Sequence, residues 1–101
     1  MISLSKYDEF GPGMGFPSIK ESFSKDPYPN KDIIVNYLKN GKVGISAGSV
    51  VRDIITDEKI ANYKTIMSDG KYSWNNSIAY YVENYNLRLP REFEEHVLSK
   101  I

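Results

Sequence analysis

The chain contains no cysteine, which excludes a disulfide framework, a thiolate nucleophile and every zinc site built on sulfur. No stretch approaches the roughly 20 apolar residues of a membrane-spanning helix. The opening Met-Ile-Ser-Leu-Ser-Lys-Tyr-Asp-Glu has no apolar run of the kind that forms a secretory signal. A cytoplasmic location and no membrane partner are the expectation. Net charge is also missing. Thirteen Lys plus Arg balance thirteen Asp plus Glu, so the domain as a whole lacks the excess cation that drives counterion release from phosphates, and a nucleic-acid partner is not expected.

What is present is ordinary globular composition, 41% hydrophobic and 26% charged over 101 residues, enough for one core and one domain, 1–101. Residues 1–29 hold four of the five prolines and three of the seven glycines, which forbids a long helix and works against a regular strand. The same segment carries Tyr7, Phe10, Met14, Phe16, Ile19 and Phe23, more large apolar groups than a disordered tail would use. It is expected to be an irregular arm lying over a core formed by residues 30–101.

That core reads as α+β. Asn30 is placed as an N-cap, and Ile33, Ile34, Tyr37 and Leu38 share one face of a helix over 31–40, stopped at Gly41 by a left-handed residue. Val43, Ile45 and Ala47 alternate with small residues as a first strand; Val50 to Ile55 and Tyr63 to Met67 supply two more, giving a three-stranded antiparallel sheet with turns at Thr56–Lys59 and Ser68–Gly70. A second helix is expected from Ser73 to about Tyr85, with Trp74, Ile78, Tyr81, Val82 and Tyr85 inward and Tyr80 outward. Asn86 and Pro90 then separate it from a third helix carrying Phe93, Val97 and Ile101 as its buried stripe. These two make a C-terminal helical pair.

Each candidate site has a plainer explanation. His96, the only histidine, follows Glu92 by one helical turn and would suit a general base, but no Ser, Cys or second His stands beside it, so a surface pair with Glu92 is expected. Asp53, Asp57, Glu58 and Asp69 fit neither an EF-hand nor a two-carboxylate motif. Gly-Pro-Gly-Met-Gly at 11–15 lacks the strand, helix and Lys-Ser/Thr pair of a phosphate loop. A helix-turn-helix reading of the last two helices places three glutamates against phosphates. No catalytic residue, cofactor or metal is therefore expected. Surface recognition remains, with Tyr72, Tyr80, Arg52, Arg88 and Arg91 as partner-binding candidates and Tyr28 and Tyr63 behind them. The alternative is a small-ligand or glycan module whose aromatic pocket surrounds Trp74.

The order Asp69-Gly70-x-Tyr72-x-Trp74, then Tyr80-Tyr81-Val82-Glu83, then Leu89-Pro90-x-Glu92-Phe93 resembles a signature of short bacterial proteins, some of which are similar to immunity partners of polymorphic toxins. The resemblance covers about residues 69–97. It implies a cytoplasmic, non-enzymatic protein that works by binding another protein, such as a toxin.

Overall fold

The computed structural model describes residues 1–100, apart from the side chain of Ala47. In chain order the elements are β1 (Ile2–Ser3), a single 3-10 turn (Ile19–Ser22), α1 (Lys31–Lys39), β2 (Lys42–Ala47), β3 (Val51–Arg52), β4 (Lys59–Ala61), β5 (Lys64–Ser68), β6 (Tyr72–Asn75), α2 (Ser77–Tyr85) and α3 (Arg91–Leu98). The class is α+β, but the sheet differs from the three antiparallel strands expected. Four strands form a mixed sheet in the order β1-β6-β5-β2, and β3 and β4 form a separate two-stranded ladder.

Strand β6 is an element that sequence periodicity misassigned. Tyr72 and Trp74 point to the core with Ser73 between them, and the strand pairs antiparallel with β5, Trp74 opposite Met67. Asp69-Gly70 makes the hairpin: Gly70 takes a φ of 96°, which costs glycine nothing, and Asp69 Oδ1 accepts from the amides of Lys71 and Tyr72 at 2.9 and 2.7 Å. Helix α2 therefore starts at Ser77 and not at Ser73. Its amide bonds to Asn75 Oδ1 at 2.9 Å, the local side-chain acceptor that a helix start requires.

Trp74 is 1% exposed and donates Nε1–H to the Leu38 carbonyl at 3.2 Å. Tyr37 of α1 and Phe93 of α3 flank it, so both helices close over the inner face of β5 and β6. Gly41 follows α1 for a reason other than backbone handedness. Its φ is not left-handed, and a Cβ there would lie 2.5 Å from the indole Cζ2. On α1 the buried residues are Ile34, Val35 and Leu38, while Ile33, expected inward, is exposed. Asn30 takes a φ of 67° and makes no side-chain cap bond. On α3, Phe93 and Val97 are buried; Ile101 lies outside the described residues.

Residues 1–29 are neither uniformly irregular nor detached. Ile2–Ser3 run parallel to β6, with Leu4 N bonding Ser73 O at 2.7 Å. Leu4, Tyr7, Ile19 and Tyr28 are buried in the common core, and Phe23 stacks on Tyr85 with ring centres 4.8 Å apart.

Candidate functional site

Two aspartates organise the polar interior. Asp53 follows β3 and is 2% exposed. Its Oδ1 accepts from the amides of Ile55 and Thr56 at 2.7 and 3.0 Å, and its Oδ2 from the hydroxyls of Tyr80 and Tyr85, both at 2.6 Å. Burial opposes the charged form, yet these four donors outweigh it and hold the carboxyl below its usual range. The same bonds raise both phenols, Tyr85 to about 12, because ionising either would set two anions together. Between them, Tyr81 accepts from Ile54 N at 3.2 Å and donates to Arg52 O at 3.3 Å. Three tyrosines of α2 thus hold the β3–β4 hairpin.

Asp69 repeats the design on the β5–β6 hairpin. Beside its two amide bonds, Oδ2 accepts the Tyr37 hydroxyl at 2.6 Å and meets His96 Nε2 at 2.8 Å. Burial again opposes ionisation and the hydrogen bonds prevail, so the carboxyl is lowered; Tyr37, pushed up by burial and by Asp69, reaches about 12. His96 therefore pairs with Asp69 and not with Glu92, because it stands beside the Tyr72 ring, 5.1 Å away, on the side of α3 that meets the hairpin.

A carboxylate offers about four acceptor positions, and each of these aspartates has four partners. The hydrogen bonds to each thus come close to filling its acceptor positions. Among the described residues, no group of three or more potential ligands gathers. The contacts of Asp69 with Tyr37 and His96 tie α1, α3 and the hairpin together.

Of the five partner-binding candidates, Tyr72 is buried and Tyr80 half-buried. Tyr72 is only 4% exposed and packs edge-on against Phe93 at 4.9 Å, as an inward strand residue must. Tyr80, expected outward, is half-buried because its hydroxyl reaches Asp53. Arg52 is exposed and bonds the Asp57 carbonyl at 3.0 Å. Arg88 forms a two-point contact with Glu94 and lies 4.1 Å over the Tyr28 ring; Arg91 pairs with Glu95 at 2.9 Å. Tyr28 is buried and donates to Leu87 O at 2.7 Å, which leaves Tyr63 as an exposed tyrosine. Trp74 is buried. A depression of about 780 Å³ opens between the end of α1 and the β5–β6 turn, with Tyr37, Asn40, Lys42 and Asp69 on its wall.

The surface that sequence reading did not single out lies on β2. As the end strand of its sheet it has a partner on one side only. Val43 and Ile45 are 63% and 81% exposed, and Ile66 of the adjoining β5 is 40% exposed. Gly44 between them lets the strand approach β5: a Cβ there would sit 3.0 Å from the Ile66 carbonyl oxygen. The alternating Val-Gly-Ile pattern signals a strand equally well when its apolar residues face a core and when they face solvent. Compared with known proteins, the chain matches no family model, no curated protein and no solved structure. Among the described residues, no helix is long and apolar enough to cross a membrane.

Proposed function

We propose that this chain is a non-catalytic protein-interaction domain, in its specific form an immunity- or antitoxin-like inhibitor that covers the working site of a cytoplasmic toxin. The observation that carries the reading is the contrast between its polar and apolar groups. Asp53, Asp69 and His96, the residues best suited to chemistry, are engaged by their own fold. Val43 and Ile45, which gain nothing by meeting water, lie open on a strand whose outer edge has no partner. Burying such side chains against a partner contributes affinity without a reactive group. The glycan alternative loses its support because the indole it needs is spent on Leu38, Tyr37 and Phe93.

The test is neutralisation. The protein is recovered from its source cells with whatever protein accompanies it, and that protein is expressed in a host with and without this chain. A companion that arrests growth alone and is silenced by stoichiometric co-expression is the expected result. A chain that emerges as a monomer with no companion contradicts the reading.

A further inference from the structure

Resting on that reading, we infer that the contact face is the free edge of β2 and that the partner adds to it a strand bearing acidic side chains. Thirteen carboxylates are spread over the chain, yet residues 42–52 and 59–68 contain none, while carrying Lys42, Arg52, Lys59 and Lys64. The strands β2, β4 and β5 therefore carry cations and no carboxylate. Within the intervening turn, Asp53 is buried and bonded, and Asp57 and Glu58 stand at the hairpin tip.

The cations bracket the edge. Lys42 begins β2, and Lys64 is the register partner of Ala47 at its other end. Lys64 also lines, with Arg52, Val50 and Ile54, a depression of about 220 Å³ beside the strand. The one carboxylate on that wall, Glu9, is held by the Ile19 amide at 2.7 Å and by Ser18, leaving the two cations without a local counter-charge from it. A strand laid on β2 would satisfy its outer row of backbone groups, cover Val43 and Ile45 and bring carboxylates to Lys42, Lys64 and Arg52.

The same features select against other occupants. A second copy of this edge would bring a second set of cations to the first, a like-charge contact that disfavours association. A nucleic acid would meet the cations but has no backbone ladder to pair with the strand and leaves the apolar side chains uncovered. The register shift between Val43 and Ser46 and the lysine at the strand start are the devices by which an edge refuses indiscriminate pairing.

Backbone amide NMR shifts provide the test, with three probes: a short peptide alternating glutamate and valine, the same peptide with lysine for glutamate, and a thymidine oligonucleotide. The acidic peptide is expected to shift the amides of 42–47 and to bind at least about tenfold tighter than the lysine peptide, weakening as salt rises. The double variant Lys42→Glu, Lys64→Glu, with unchanged far-ultraviolet circular dichroism, should reverse the preference between the peptides. No shift at 42–47, equal binding of both peptides, preferential binding of the oligonucleotide there, or concentration-dependent dimerisation through this edge each overturns the inference. A neutralised companion whose cross-links fall on Arg88 and Arg91 would overturn it while leaving the proposed function intact; absence of any companion would remove that function itself.

Discussion

Tyr80 donates its hydroxyl to Asp53 at 2.6 Å across 27 positions of sequence. This bond, with its twin from Tyr85, replaces a cation as the means of keeping a carboxylate charged at 2% exposure. Hydrogen bonds to a charged group contribute about 1.5 to 3 kcal/mol each when their loss leaves the charge under-satisfied. Tyr80→Phe and Tyr85→Phe should each cost about 1 to 2 kcal/mol by urea unfolding, and Asp53→Ala about 3. The double Phe variant should depart from additivity, since both phenols serve one oxygen. Loss of less than about 0.5 kcal/mol in both single variants would show that the carboxylate is held by its backbone turn alone.

Two glycines separate space from handedness. Gly41→Ala drives a methyl into the indole of Trp74 and should cost about 2 to 3 kcal/mol, in the range of overpacked cores. Gly48→Ala meets nothing within 4 Å and has no left-handed φ, so it should be neutral or slightly stabilising. Thermal melts of the two variants side by side check the contrast.

Stability should fall at both ends of the pH scale. Asp53 and Asp69 have lowered folded-state values, so they contribute fully above the ordinary carboxyl value of 3.8, and the contribution is lost as pH falls below it towards their folded values. Tyr37 and Tyr85 are raised to about 12 from 10.0, so their contribution is complete below 10.0 and disappears as pH rises through about 12. Denaturant midpoints measured across this range should show a plateau between the two limbs. Tyr37→Phe and Tyr85→Phe should each flatten the alkaline limb.

The indole offers a spectroscopic check on the core. Trp74 should emit in the blue and resist iodide and acrylamide quenching, and Trp74→Ala or Phe93→Ala should cost about 3 to 5 kcal/mol. Quenching as fast as that of free tryptophan would contradict its place between Tyr37, Leu38 and Phe93.

The parts legible in the sequence are those with local instructions. Pro90 and the two-residue stripe of Phe93 and Val97 mark α3, Asn86 ends α2 with a φ of 53°, and Asp69-Gly70 makes a hairpin. Trp74 was legible as core but not as strand, because Trp74, Ile78 and Tyr81 satisfy helical spacing, whereas Tyr72-Ser73-Trp74 equally satisfies alternation. Tertiary pairing with β5 decides between them, and nothing local to 72–75 states it. The aspartate nodes were illegible for a related reason. Asp69 reads as a turn residue and Asp53 as an interruption in the expected second strand, but their phenol partners arrive from helices 27 and 32 positions away. The exposure of Val43 and Ile45 is likewise a property of strand order, which places β2 at the margin.

Hydrogen–deuterium exchange of the chain alone and in complex with its neutralised companion tests the central claim, that this protein works by contact through an open strand edge. Slowed exchange confined to residues 42–47 and their immediate surroundings is the predicted outcome. Unchanged exchange on that strand, with slowing instead around Tyr37, Asp69 and His96, would place the working surface at the cleft and contradict the account.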